Sequence, residues 1–306
     1  MKGLSRKIAF AGAFLILICN SAVHAFAAGA LGKVPPAVFN ISHRGASGYA
    51  PEHTLASYDM GQRMQGDFIE IDLQMTKDGE LVALHDESLD RTTNGKGLVK
   101  ELNVADLKKL DAGSWFNEAY PERAKLEYMG LQVPTLPEIL ERFGTDAKFF
   151  IETKSPEDYP GMEEKLIETL YEYNLIGDQL PFDKIMIQSF SVESLKKIHE
   201  MDDSIPLIQL LSYYSPAVIT DLEIDKIKEY ASGVGMHFTS ISPGYVKKVK
   251  DSGLLVIPYT VNEKEDMIML LDWGVSGMFT NYPDRLADVI KLRTGKGSIN
   301  TETAGS

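Results

Sequence analysis

The 306-residue sequence predicts an α/β chain folded as a (β/α)8 TIM barrel. Three observations point there. Eight short apolar runs rich in β-formers recur, and helical patterns separate them. The runs are 37–42, 68–73, 148–153, 184–188, 206–211, 233–237, 254–260 and 277–280. Near-continuous apolar runs suit parallel strands buried on both faces. The spacing is also regular. His43 to Asn281 is 238 residues in seven steps; setting aside the 49 residues of 86–134 leaves 189, or 27 per step. That is near the smallest unit holding a strand, a helix and two turns. Finally, no GxGxxG follows a strand, which weakens the alternative of a doubly wound open sheet binding a dinucleotide.

The elements follow in order. Residues 1–27 read as a secretory leader: Lys2, Arg6 and Lys7, then the apolar run Ile8–Ile18, then small residues up to Ala25-Phe26-Ala27. The apolar stretch is too short for a stable membrane span. Ile18 before Cys19 argues against lipid attachment at that cysteine. The barrel is expected over 37–292. After Phe68–Leu73 the chain turns at Lys77-Asp78-Gly79 and returns as Leu81–Leu84, a hairpin. Residues 86–134 form an insertion. Thr135-Leu136-Pro137-Glu138 is a capping box ahead of Ile139, Leu140 and Phe143. Ser191 starts a helix with Val192, Leu195 and Ile198 on one face. Asn262 through Glu265 suggests another capping box, before Met267, Leu270 and Leu271, with Gly274 as a left-handed C-terminal residue. Residues 293–306 are expected to be a disordered tail.

Composition narrows the partners. Hydrophobic residues at 44% and charged residues at 25% describe a globular chain. The net charge is −13, and losing residues 1–27 removes three basic and no acidic side chains, giving −16. Nucleic acid is a poor partner for such a chain. Cleavage also removes Cys19, the only cysteine, so a disulfide, a thiolate nucleophile and Cys-ligated zinc are excluded from the mature chain. No other segment is apolar enough for a membrane anchor, so a soluble secreted protein is expected.

Chemistry in a barrel sits at the C-terminal ends of strands. Glu70 and Asp72 are spaced i, i+2 and share one face of their strand; Glu152 faces the same region from the next. Three carboxylates converging there need protons or a cation. A hard divalent ion, Ca²⁺ or Mg²⁺, meets that need, with Ca²⁺ favoured outside cells. Pairing with Arg44 or Lys154 is the metal-free alternative. His43 and His85, at strand ends beside this set, are candidates for acid–base work on an anion, with Arg44 and Lys154 reaching phosphate oxygens. Gln188, Phe190 and Tyr259 fit a substrate-binding wall, and His237 is a further candidate for it. His53 and His199 read as structural. GxSxG, HExxH and Walker A sequences are absent, which argues against serine, zincin and P-loop chemistry.

These motifs together resemble the glycerophosphodiester phosphodiesterase family. The matching stretches are His43-Arg44-Gly45 to Pro51-Glu52-His53-Thr54, Glu70-Ile71-Asp72, the Lys77-Asp78-Gly79 turn and His85-Asp86. They continue with Asp90-Arg91-Thr92-Thr93-Asn94-Gly95, Leu110-Asp111-Ala112-Gly113, Glu152-Thr153-Lys154, Tyr259-Thr260-Val261-Asn262 and Gly277 to Asp284. His53 departs from the family pattern, which often has Asn there. The resemblance spans about Asn40 to Leu292 and implies a barrel with an insertion after the second strand. It implies hydrolysis of glycerophosphodiesters to glycerol 3-phosphate and an alcohol. Glu70, Asp72 and Glu152 would hold the metal, His43 and His85 would be the acid–base pair, and Arg44 and Lys154 would bind phosphate. Secreted, calcium-using members from Gram-positive bacteria are similar, and such members act on glycerol-phosphate wall polymers. A phosphatidylinositol-specific phospholipase C-like enzyme and a non-catalytic glycerol-phosphate-binding protein are the competing readings.

Overall fold

The computed structural model describes residues 38–177, 181, 183–214 and 216–297. The expected leader lies outside the described residues, as does the tail from residue 298.

In chain order the strands are β1 (Phe39–Ser42), β2 (Phe68–Met75), β3 (Leu81–Ala83), β4 (Lys148–Thr153), β5 (Ile185–Ser189), β6 (Leu207–Leu211), β7 (Gly233–Met236), β8 (Leu255–Val256) and β9 (Gly277–Thr280). The helices are α1 (Leu55–Arg63), α2 (Val104–Leu107), α3 (Ser114–Ala119), α4 (Leu136–Phe143), α5 (Met162–Glu172), α6 (Val192–Met201), α7 (Asp221–Lys228), α8 (Pro243–Asp251), α9 (Lys264–Trp273) and α10 (Pro283–Gly297). The wall runs β8-β7-β6-β5-β4-β2-β1-β9, and β3 pairs antiparallel with β2. Every wall pairing is parallel.

Backbone hydrogen bonds join the β8 and β9 segments and close the barrel. Ser276 N–H donates to the Val256 carbonyl (2.8 Å), Phe279 N–H to Pro258 (3.0 Å) and Val261 N–H to Phe279 (2.8 Å). The strand expected over 254–260 is regular only at Leu255–Val256. Pro258 has no N–H to donate, so it interrupts the ladder. An isolated bridge between His237 and Tyr259 resumes the pairing beyond it.

Two apolar layers flank the wall. Inside, Ile41, Phe68, Phe150, Met186, Ile208, Ile257 and Phe279 fill the barrel. Outside, the alternate strand residues (Ile69, Ile71, Phe149, Ile151, Ile187, Val234) pack under the helices' apolar faces, such as Ile139 and Leu140 or Leu195 and Ile198. The interior fill reaches Phe150, level with Glu70 on β2, and the polar side chains begin there.

The helix start signals hold in part. Thr135 and Glu138 form the capping box, and Ser191 accepts from Ser194 N–H. The box expected at Asn262 is absent: Glu263 starts α9 without a side-chain cap. Asn262 Oδ1 instead accepts from Asn281 N–H at 3.0 Å, and so fixes the end of β9. α10 continues to Gly297, so the first residues of the expected tail are helical. Buried Leu286 and Val289 anchor the helix, and each further turn costs little once nucleated.

The insertion has its own small core. Leu89, Val99, Leu107 and Ala112 pack on Val82 and Leu84 of the hairpin. Phe116 and Tyr128 pack on Ala50 of the β1–α1 loop. Arg123 Nη1 donates to the Gly48 carbonyl and the Tyr128 hydroxyl to that of Tyr49, which straps the insertion to this loop.

Candidate active site

The first loop is shaped by left-handed backbone. After β1, His43 N–H donates to the Thr280 carbonyl at 3.0 Å, and the chain turns through Arg44 (φ 57°) and Gly45 (φ 82°). A Cβ on Gly45 would lie 2.4 Å from Ser57 Oγ of α1, so only glycine fits this approach. The turn aims Arg44 N–H at Glu70 Oε2 (2.6 Å). Thr54 caps α1, and His53 just before it is again left-handed (φ 55°).

The wall supplies the carboxylates. Asp72 on β2, Glu152 on β4 and Gln188 on β5 are register partners in one row across three adjacent strands. Glu70 lies two residues back on β2, level with Phe150 of the interior fill. His85 follows the hairpin; its carbonyl accepts from Gln74 Nε2 at 3.1 Å, and Gln74 is in turn held by the Tyr159 hydroxyl at 2.6 Å.

His43, Arg44, Glu70, Asp72, His85, Glu152, Lys154, Gln188, Phe190 and Tyr259 line one cavity of about 180 Å³ at the C-terminal mouth of the barrel. His237 is not among its lining residues. It is exposed on the rim, where Nδ1 lies 2.8 Å from Thr239 Oγ1 and the ring stacks on Phe238. Its ring also stands edge-on to Tyr259, with centres 6.2 Å apart, so it flanks the wall without lining the cavity. Phe190 stands on the rim at 46% exposure, edge-on to Tyr259 with ring centres 6.4 Å apart.

Electrostatics follow from burial. Burial and the Asp72 charge push the Glu70 carboxyl well above its ordinary value. Burial and Asp72 likewise push Glu152 up to about 8, against the pull of Lys154. Burial would raise Asp72 too, but Lys154, His53 and Arg44 overcome it and hold that group ionised. Lys154 Nζ sits 2.8 Å from Glu152 Oε1 and 4.0 Å from Asp72 Oδ1, and Arg44 Nε is 3.4 Å from Asp72 Oδ2. Two cations thus face three carboxylates, and Arg44 also serves Glu52 at 2.8 Å. Among the described residues, Gln188 Oε1 is buried without a hydrogen-bond partner. An excess of buried oxygen donors over positive charge fits a hard divalent cation.

The grouping differs from the expected one in one member. Ligand atoms of His53, Glu70 and Asp72 lie within 4.8 Å of one another, whereas Glu152 leans toward Lys154. His53 is nonetheless committed elsewhere. Its Nε2 donates to Asp72 Oδ2 (2.8 Å), and its Nδ1 accepts from the Tyr58 hydroxyl (2.8 Å). Both ring nitrogens are used, so His53 orients Asp72 and leaves coordination to oxygen.

The two candidate acid–base residues are oriented differently. His43 Nδ1 meets Asn281 Oδ1 at 2.7 Å, which places the proton on Nδ1 and a lone pair on Nε2. Burial and the Arg44 charge lower His43 to about 3. His85 Nδ1 lies 2.6 Å from Asp86 Oδ1. Burial lowers His85 as well, with Asp72 and Asp86 pulling upward against Arg44 and Lys154.

The comparisons with known proteins agree with this geometry. Residues 43–285 match the glycerophosphoryl diester phosphodiesterase family. The chain belongs to that family. It is therefore an enzyme, a phosphoric diester hydrolase. It is 55% identical over 257 residues to a glycerophosphodiester phosphodiesterase of Bacillus subtilis (strain 168), covering 84% of this chain and 88% of that one. A glycerophosphodiester phosphodiesterase of Caldanaerobacter subterraneus subsp. tengcongensis is 34% identical over 254 residues, 82% of this chain and 97% of the other. Among solved structures, an Oleispira antarctica phosphodiesterase in complex with its product sn-glycerol-3-phosphate superposes with a TM-score of 0.71 at 28% identity, over 82% of this chain and 96% of that one.

Spacing rules gave no role to Asn281, Glu52 or Arg91, and they read His53 as structural. Asn281 meets His43 across 238 residues, and Arg91 meets Glu52 across 39. The signal available for them was the family motif around each, Pro51-Glu52-His53-Thr54, Asp90-Arg91-Thr92-Thr93 and Thr280-Asn281-Tyr282-Pro283.

Proposed function

We propose that the chain is a secreted, calcium-dependent phosphodiesterase that hydrolyses glycerophosphodiesters to glycerol 3-phosphate and an alcohol, with His43 and His85 as its acid–base pair. The observation that carries this reading is two imidazoles opening on one cavity, each with Nδ1 engaged, beside three carboxylates and two cations. The leader read in residues 1–27 supports secretion.

Glu70, Asp72 and Glu152 would hold the ion, and the all-oxygen set together with an extracellular setting favours Ca²⁺. Bound there, a divalent cation supplies charge against phosphate oxygens and acidifies a coordinated hydroxyl. Arg44 and Lys154 hold and orient the phosphodiester. His43 presents its free Nε2 lone pair and takes the proton of the glycerol C2 hydroxyl, whose oxygen attacks phosphorus. His85, whose protonated form the Asp86 carboxylate supports, gives its proton to the departing alkoxide. The resulting cyclic phosphate is opened by water. Neutral His85 takes the water's proton, protonated His43 returns one to O2, and both residues regain their starting states.

A second cavity of about 450 Å³ shares Glu152, Lys154 and Phe190 with the first, and Ser155, Ser191 and Glu157 help line it. It offers a polar path for a bulky leaving alcohol and supports glycerol-phosphate polymers such as wall teichoic acid as substrates. The test is release of glycerol 3-phosphate from glycerophosphocholine and from poly(glycerol phosphate). Activity is expected to vanish with chelator and return with Ca²⁺; full activity in chelator overturns the metal assignment. Cleavage of phosphatidylinositol vesicles in preference to soluble diesters would overturn the substrate assignment.

A further inference from the structure

We propose that Arg91, carried by the insertion, is a positioning residue that ties His85 and Arg44 into one network across the mouth of the site. The inference rests on the reading of His85 as an acid–base residue. Arg91 Nε donates to Asp86 Oδ2 at 2.6 Å, while Nη1 and Nη2 grip the two oxygens of Glu52 at 2.8 Å each. The other oxygen of Asp86 takes His85 Nδ1 at 2.6 Å, and Glu52 Oε1 also accepts from Arg44 Nη1 at 2.8 Å. One guanidinium thus joins the partner of His85 to the partner of Arg44.

An exposed ion pair is usually worth little, and the Arg91 side chain is 44% exposed. Two features separate this one from that class. The contact with Glu52 is bidentate, and three charge-assisted bonds converge on one planar group. The backbone that carries Arg91 is also rigid. Leu89, Thr92 and Thr93 beside it are buried, Thr93 Oγ1 donates to the Leu89 carbonyl at 2.7 Å, and Leu89 N–H donates to Gly97 at 2.9 Å. Glu52 sits low for the matching reason: burial would raise its carboxyl, but Arg91 and Arg44 overcome burial. Without Arg91, Asp86 keeps only His85 and swings more freely, and the ring it orients does the same. A lysine cannot replace the fork, because a single ammonium does not span both carboxylates in plane.

The test is a set of kinetics on the calcium-loaded enzyme with glycerophosphocholine. Arg91→Gln and Arg91→Lys are each expected to lower kcat about tenfold, part of the roughly hundredfold or more that an acid–base group contributes, with KM within about twofold. In the double variant Arg91→Gln/Asp86→Asn, kcat should stay within about twofold of Asp86→Asn alone, because the kcat effect runs through Asp86 and His85, while Arg44 keeps its own bond to Glu52 and so holds KM. Wild-type turnover in either Arg91 variant, or losses that multiply in the double variant, overturns the inference. His85→Ala belongs in the same series. Retained turnover there overturns the acid–base reading, and the inference with it.

Discussion

Replacing His53 with alanine probes the least expected contact in the site. Asp72 Oδ2 accepts one well-aligned bond, from His53 Nε2 at 2.8 Å, and its next neighbour is Arg44 Nε at 3.4 Å. The group is enclosed: Asp72 is 1%, His53 2% and Tyr58 0% exposed. Losing a buried hydrogen bond to a charged group costs about 1.5–3 kcal/mol. The left-handed backbone of residue 53 adds little to this difference, because histidine carries the same Cβ as alanine. The hydrogen-bond cost converts to a weakening of Ca²⁺ binding of roughly 10–100-fold, the range seen when a ligand loses its supporting partner. His53→Asn tolerates the backbone and should bind Ca²⁺ more tightly than the alanine variant. Tyr58→Phe removes only a neutral bond worth about 0.5–1.5 kcal/mol and should weaken binding by about tenfold at most. Calorimetric titration of chelator-stripped protein with Ca²⁺ measures all three, with urea unfolding alongside for stability. Wild-type affinity in His53→Ala, or a larger loss in Tyr58→Phe than in His53→Ala, refutes the orienting role.

Three further outcomes are expected. His43→Ala and His85→Ala each lose roughly a hundredfold or more in kcat while keeping the wild-type circular dichroism spectrum, and near-wild-type turnover in either removes it from the acid–base pair. In chelator the thermal midpoint should fall between pH 6.5 and 8. Glu152 keeps its proton in the folded chain to about 8, and Glu70 is raised in the same direction, while the unfolded chain has already released these protons, so stability is lost as pH rises. The lowered His43 acts in the opposite sense only below its unfolded value near 6.5, outside this window. Saturating Ca²⁺ should flatten that slope, and a midpoint that rises across the window in chelator contradicts the charge assignment. A glycerol-phosphate polymer carrying a sugar or alanine on the C2 hydroxyl should resist cleavage, and equal rates on free and blocked polymer would make water the nucleophile.

Much of the barrel was legible because strand parity and register are local rules. Glu70 and Asp72 at i, i+2 had to share a face, and the apolar flanks of Lys148–Thr153 placed Glu152 on the adjoining strand. The contacts that orient those groups were not legible, for physical reasons. Arg44 and His53 adopt left-handed backbone without being glycine, so no residue type announced that the loop folds back over the carboxylates. Asn262 looked like a helix cap because its type and spacing suit one. It was recruited by Asn281, a partner that only closure of the barrel brings near. His237 had the right position at a strand end, but a neighbouring threonine and an aromatic ring claimed it first.

All barrel strands run the same way, with the cavity at their C-terminal ends. The chain therefore enters β1 on the opposite rim, and α10, the helix after β9, runs back toward that rim. A tether at either end of the folded part would hold the enzyme by its base and point its mouth outward. Grafting it to a bead or a cell surface by these ends should cost little turnover on a polymer approaching from solution.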